Sequence, residues 1–233
     1  MSEVSCKLIY SLDSAGNPSE RSTVMTDANY TAMLIILDRS GSMGMIREDM
    51  IGGLQQLIAT QSSEPGMLTI DIVTFDTEIE LTHHFADPAT VKVELIPRGG
   101  TALYDAVGWS FNGFGQALAE LPEHARPGTV LVTIVTDGEE NSSREYTASM
   151  VAKMIEHQRA AFDWDVSFLG ANQDAIEEAR KIGIDATDAI DYDLGAVGAA
   201  MSAHADKLSR RRKGSRAGYT SEERGAARGA ESQ

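Results

Sequence analysis

One cysteine in 233 residues, Cys6, excludes an intramolecular disulfide and leaves no cysteine cluster for zinc. That scarcity fits a reducing, cytoplasmic setting. Long apolar runs are missing as well. No stretch approaches the roughly 18 residues of a membrane span, so no membrane association is expected. The N-terminus, MSEVSCKLIYSLDS, has no long apolar segment after a basic start, which argues against a signal peptide. Positive charge is scarce, at 20 Lys/Arg against 35 Asp/Glu, and unevenly placed. Residues 1–203 hold 12 basic against 31 acidic residues, whereas residues 204–233 hold 8 against 4. The body would repel phosphates, so no specific nucleic-acid binding is expected, although the tail could make weak electrostatic contact. Neither a GxxxxGK[ST] phosphate loop nor the dinucleotide fingerprint occurs.

What is present is a globular composition, 42% hydrophobic and 24% charged. The chain is organised around Ala32–Asp49, AMLIILDRSGSMGMIRED. AMLIIL has no polar break, as a strand buried on both faces would. It stops at Asp38, after which Ser40 and Ser42 follow at alternate positions and a helical period begins at Ile46. Further along, Met67–Asp76 reads as a second strand. Ile79, Leu81, His83 and Phe85 then alternate as an antiparallel edge strand would after a turn near Asp76-Thr77. A helix is expected over Ala102–Leu121, a buried strand over Thr129–Asp137, and a helix opened by a Ser142/Glu145 capping box and running to Ala160. Strands at Asp165–Ala171 and Ala186–Ile190 and helices at Asp174–Ile182 and Leu194–Leu208 complete the pattern.

The alternation implies an α/β fold: a doubly wound, mostly parallel sheet with one antiparallel edge strand and helices on both faces. The domain is expected at 31–208. Residues 1–30 form an N-terminal extension, in which Cys6–Leu12 could add an edge strand or hairpin and Ser14–Ser22 is a loop. Residues 209–233 read as a basic, disordered tail, since they carry little apolar surface beyond alanines and Tyr219.

Two buried-type strands each deliver an aspartate at the C-terminal end, Asp38 and Asp137, and Gly99-Gly100-Thr101 adds a hydroxyl at a loop-to-helix junction. In open α/β sheets, ligands bind at that end of the strands. Two carboxylates with the hydroxyls of Ser40, Ser42 and Thr101 are all oxygen donors, the set of a hard divalent cation such as Mg²⁺. The two negative charges would balance a +2 ion and leave it attractive to one more anion. Simpler alternatives exist: serines that cap the next helix, Thr101 as an N-cap, Asp137 as a strand-end acid. Arg39 enters the same loop, where contact with an incoming carboxylate is one reading. Glu139 and Glu140 read as a solvated loop, His83 and His84 as edge-strand residues, and the run from Arg210 to Lys213 as a solvated or charge-docking tail.

DRSGSM at Asp38–Met43, GGTALYDAV at Gly99–Val107 and VTDGEEN at Val135–Asn141 resemble the three segments of the metal-ion-dependent adhesion site (MIDAS) of von Willebrand factor A domains. The resemblance covers about three quarters of the chain and is nearest to stand-alone bacterial or phage forms. It implies the metal ligands Asp38, Ser40, Ser42, Thr101 and Asp137, with Mg²⁺ as the ion and Mn²⁺ or Ca²⁺ as alternatives. It also implies a protein partner that supplies Asp or Glu to the open coordination position. Some integrin relatives carry two acids where this chain has Met45 and Ile46, so an adjacent regulatory metal site is not expected. No histidine, lysine or cysteine stands ready for acid–base or covalent chemistry, and the expectation is a binding module without enzymatic activity. The alternative is a haloacid-dehalogenase-like phosphatase with Asp38 as nucleophile. Ser40 stands where such enzymes place a second acid.

Overall fold

The computed structural model describes residues 4–7, 10–12, 18–20, 24–171 and 175–229. Its longest strand, β4 (Val24–Asp38), follows three short ones, β1 (Val4–Lys7), β2 (Tyr10–Leu12) and β3 (Pro18–Glu20). Then come α1 (Arg47–Ser63), β5 (Met67–Phe75), β6 (Ile79–Ala86), α2 (Leu103–Glu120), β7 (Pro127–Thr136) and α3 (Ala148–Phe162). The chain continues through β8 (Asp165–Gly170), α4 (Ala175–Lys181), β9 (Ala189–Asp191), α5 (Val197–Arg212) and α6 (Ser221–Ala227).

The main sheet runs β6-β5-β4-β7-β8-β9. Along that order neighbours are parallel except β6, which runs antiparallel to β5 at the edge; β1 joins the same sheet off this path. Strand β4 shows why the central run has no polar break. Met33, Ile35 and Leu37 enter the core shared with α1 and α5, among Met50, Leu54, Met201 and Leu208. Ala32, Leu34 and Ile36 enter the opposite core, with Val107 and Phe111 of α2 and Val151 and Ile155 of α3. Successive side chains of a strand point to opposite faces, so a strand covered on both sides must be apolar at every position. From β4 the chain winds outward through β5 to β6, then returns to β7 on the other side of β4. The order therefore reverses between β4 and β7, and a crevice opens at their C-terminal ends. Among the described residues no helix is long and apolar enough to cross a membrane.

Four sequence expectations need correction. The first core strand starts at Val24 rather than Thr31, and β1 pairs antiparallel with its first residues, from Val4 opposite Asp27 to Lys7 opposite Val24. Within the stretch read as a loop, Pro18–Glu20 pairs with Tyr10–Leu12; residues 14–17, 21 and 22 lie outside the described residues. Helix α3 begins after Thr147, whose side chain accepts the Met150 N–H, so Ser142 caps nothing there. The N–H groups of Arg144, Glu145 and Tyr146 instead donate to the carboxylate of Asp105 on α2, which holds this segment away from the helix.

The fourth correction concerns the tail. Helix α5 continues to Arg212, and α6 follows with a Thr220/Glu223 capping box. A count of apolar residues misses why it is ordered. Its basic side chains find acids on the body and on α6: Arg210 meets Glu223 at 2.6 Å, Arg216 meets Asp163 at 2.7 Å, and Arg228 meets Asp191 at 2.7 Å. Tyr219 is buried, and its hydroxyl lies 2.8 Å from His204 Nδ1. Residues 230–233 lie outside the described residues.

Candidate metal centre

Strands β4 and β7 pair in parallel up to Leu37 opposite Val135, so the next residues place Asp38 and Asp137 at one end of the crevice. A short 3-10 turn, Gly41–Met45, carries the chain from Asp38 toward α1. Ser40 N–H donates to Asp38 Oδ1 at 2.6 Å, and the Ser40 and Ser42 hydroxyls lie 3.1 Å apart. Ser42 Oγ donates to Asp137 Oδ1 at 2.7 Å, joining loops 95 residues apart in sequence. Thr136, on β7, donates its hydroxyl to Asp38 Oδ2 at 2.6 Å.

Thr101 arrives from the loop before α2. A Cβ placed on Gly138 would stand 3.2 Å from Thr101 Oγ1 and 3.7 Å from Ser42 Oγ, so any side chain there would fill the space these hydroxyls border. The backbone of Thr101 is clamped: its N–H donates to Asn141 Oδ1 at 3.0 Å, and its carbonyl accepts the N–H groups of Asn141 and Ser142 at 3.0 and 3.2 Å. Gly100 permits that close approach, because a Cβ on it would lie 2.5 Å from Ser142 Oγ. The structure thus brings Asp38, Ser40, Ser42, Thr101 and Asp137 around one small space.

The electrostatics of this space are unusual. Asp38 is fully buried, and burial pushes its carboxyl up to about 6; the Thr136 and Ser40 hydrogen bonds oppose the rise and the charge of Asp137 adds to it. Burial also raises Asp137, against hydrogen bonds from Ser42 and Ser40. Tyr192, fully buried nearby, is raised by burial and then by both aspartates, and its hydroxyl donates to the Thr136 carbonyl at 3.4 Å. Among the described residues the hydrogen-bond partners of Asp38 are all neutral donors. No three His, Cys, Asp or Glu side chains gather as a metal group among the described residues; the site joins two carboxylates to hydroxyls. Oxygen donors of that kind suit hard divalent cations rather than zinc's usual nitrogen and sulfur.

No protein-family model matches the chain, and no curated protein matches it. Solved structures do. A von Willebrand factor type A protein from Catenulispora acidiphila superposes at TM-score 0.54 with 18% identity, over 80% of this chain and 44% of that one. Manganese-loaded TRAP protein of Plasmodium vivax gives 0.52 with 13% identity, over 74% and 72%. Proximal thread matrix protein 1 from the mussel byssus, with a zinc-occupied MIDAS motif, gives 0.57 with 13% identity, over 79% and 46%. The chain has the von Willebrand factor A fold. It spans less than half the length of the Catenulispora and mussel proteins.

Within this fold, several side chains near the site do other work than their sequence positions suggest. Arg39 turns away from the crevice: its Nε meets Asp76 at 3.0 Å, and its Nη1 meets Thr74 at 3.2 Å and Glu80 at 2.7 Å. Glu140 accepts the N–H groups of Tyr104, Ser142 and Ser143 at 3.0, 2.9 and 2.7 Å, fastening the loop after β7 to the start of α2. His84 Nδ1 lies 2.7 Å from the buried carboxylate of Asp71. Sequence reasoning missed Thr136 and Asn141, which orient Asp38 and Thr101. Their only signal was position, beside Asp137 and within VTDGEEN.

Proposed function

We propose that this chain is a divalent-metal-dependent protein-interaction module. Asp38, Ser40, Ser42, Thr101 and Asp137 hold one ion, with Mg²⁺ as the first candidate and Mn²⁺ or Ca²⁺ as alternatives. The observation that carries the reading is the pair of buried, proton-raised carboxylates bridged by hydroxyls in the crevice between β4 and β7. Two such acids demand positive charge, and Asp38 receives only neutral donors among the described residues. A bound divalent ion supplies that charge together with an exchangeable coordination position. The chain's part is to present oxygens: Thr136 and the Ser40 amide orient Asp38, Ser42 orients Asp137, and Asn141 presents Thr101. An Asp or Glu of a partner protein is the anion that fits the remaining position. The manganese and zinc carried by two proteins of the same fold support a divalent ion in general.

The same reading makes the chain a binder rather than an enzyme, working in the cytoplasm. Ser40 occupies the place of a phosphatase's acid, and Arg39 is spent on Asp76 and Glu80. Thermal unfolding in EDTA and in millimolar Mg²⁺ or Mn²⁺ tests the proposal. An ion at 100 times its dissociation constant stabilises by about 2.7 kcal/mol, a shift of several degrees. Identical melting in all three buffers refutes it. Metal-dependent turnover of a chromogenic phosphate ester, lost in Asp38→Ala, would install the phosphatase reading instead.

A further inference from the structure

Met45 and Ile96 are the most exposed large apolar side chains among the described residues, at 75% and 68%. They lie on the two loops that bring Ser40, Ser42 and Thr101 to the site. These loops touch at several points. Arg98 N–H donates to the Arg39 carbonyl at 2.8 Å, and Gly41 N–H donates to the Gly99 carbonyl at 3.3 Å. A Cβ on Gly44 would stand 3.9 Å from Pro97 Cβ, and Arg47 Nε donates to the Leu95 carbonyl at 2.6 Å. The last two contacts flank Met45 on one loop and Ile96 on the other, and so bring the two residues into the same neighbourhood. Their neighbours Met43 and Leu95 are fully buried, so the backbone that tucks those two inward turns Met45 and Ile96 out. Apolar surface exposed in this way, beside a polar crevice, marks an interaction site.

We infer that Met45 and Ile96 form an apolar contact for a protein segment that carries a bulky apolar side chain two residues from the carboxylate it brings to the site. This rests on the metal-dependent reading above. The spacing follows from geometry. Met45 is three residues from Ser42 along a 3-10 turn that rises about 2 Å per residue, placing the patch roughly 6 Å along from the hydroxyl. An extended segment advances about 3.3 Å per residue, and residues two apart share a face, so positions i and i+2 reach both features. Charge explains why the carboxylate alone is a poor handle. Residues 1–203 carry 31 acidic against 12 basic residues, a field that repels acidic partners until they are in contact. Apolar contact acts at short range and is indifferent to that field. Methionine's flexible thioether adapts to differing partners. A carboxylate and an apolar side chain at a fixed two-residue spacing is what a peptide chain supplies, which makes a protein segment the occupant.

A displayed library of random heptapeptides, selected on the whole chain in Mn²⁺ and again in EDTA, provides the probe. The expected Mn²⁺-dependent clones pair Asp or Glu with Leu, Ile, Phe or Met two positions away. A synthetic peptide from such a clone should bind the Met45→Ser/Ile96→Ser variant about tenfold more weakly or worse, as loss of a central apolar contact does. Calorimetric Mn²⁺ affinity and melting in EDTA should stay as in the parent, since both side chains face solvent. Acidic clones without the apolar partner, or undiminished peptide affinity in the double variant, overturn the inference and leave the metal reading standing. The absence of Mn²⁺-dependent clones overturns the inference too; if calorimetry also shows no Mn²⁺ binding, both fall.

Discussion

Strands β4 and β5 are neighbours, run parallel, and each leads into a buried aspartate at the same end of the sheet, Asp38 and Asp76. Their surroundings are opposite. Asp76 Oδ2 receives Arg39 Nε at 3.0 Å and Arg98 Nε at 2.7 Å, and Oδ1 receives the Glu78 N–H at 2.6 Å. Burial acts to raise Asp76, yet the Arg98 bond, the Glu78 amide and the arginine charges hold it below the ordinary carboxylate range. Asp38 is the more deeply desolvated of the two, has only hydroxyl and amide donors against that burial, and is pushed up to about 6. One acid is neutralised from within the chain and serves as a structural pin. The other is left with a charge requirement that the fold does not meet from its own cations among the described residues. Position at a strand end selects a place for an acid; the cations of the neighbouring loops decide its task.

Substitution should separate the two by sign. Asp76→Asn strips the buried Arg39 of its principal partner, and breaking a buried ion pair from one side costs about 3 kcal/mol or more. Glu80 remains on Arg39 but is largely exposed. The loss should appear in urea unfolding with EDTA present and be unaffected by metal. Asp38→Asn, by contrast, should leave stability in EDTA equal or higher, because it removes one of two mutually repelling buried charges. What it should abolish is the gain of about 2.7 kcal/mol that the parent shows with Mn²⁺ at 100 times its dissociation constant. If both variants lose stability alike in EDTA, the contrast between pin and ligand collapses.

A second comparison, between the metal centre and the face of the sheet covered by α5, concerns pH. His204 on α5 is fully buried, its Nε2 2.8 Å from Thr133 Oγ1 and its Nδ1 2.8 Å from Tyr219 Oη. Burial, and then the charge of Lys207, hold it well below its usual value. The folded chain keeps it neutral while the unfolded chain takes up a proton below about pH 6.5. Its contribution is therefore present above that pH and lost as pH falls below it. Asp38 works the other way in EDTA: its raised carboxyl favours the fold at low pH, a benefit lost as pH rises toward 6. His204→Gln should flatten the loss between pH 6.5 and 5 and uncover the opposite slope of Asp38. An unchanged acid limb would mean that other groups set it.

How much of this was legible in the sequence follows from how local each cause is. Doubly buried strands announce themselves by unbroken apolar runs, so β4, β5 and β7 and their terminal acids could be read directly. Asp38, Ser40 and Ser42 sit within five residues, and their grouping needs no tertiary information. Thr136 bonding to Asp38 depends on the register of two strands 98 residues apart, which no window on the sequence contains. The start of α3 was misplaced for a similar reason, since Asp105 on another helix claims the amides of Arg144 to Tyr146. The C-terminal segment is held by guanidinium–carboxylate pairs and one buried tyrosine, which hydropathy treats as absence of structure.

The smallest expected effect sharpens the first comparison by setting a neutral anchor against a charged one. Thr101 hangs between two supports: the Asp76 carbonyl accepts the N–H of Ala102 at 2.9 Å, and Asn141 Oδ1 accepts the N–H of Thr101 itself at 3.0 Å. Ser142 Oγ also donates to Asn141 Oδ1 at 2.6 Å, so the amide oxygen holds two donors at once. Asn141→Ala removes the side-chain support but keeps the backbone bonds from residues 141 and 142 to the Thr101 carbonyl. Loss of an outer orienting group typically costs 10- to 100-fold in metal affinity, and with the backbone clamp intact about tenfold is expected. Stability in EDTA should fall slightly, by about 1 kcal/mol, because Thr101 is buried and its N–H loses its acceptor. Asn141→Asp keeps an acceptor and should restore most of the affinity. Equal Mn²⁺ affinity in the parent and the alanine variant would show that the backbone bonds alone present Thr101.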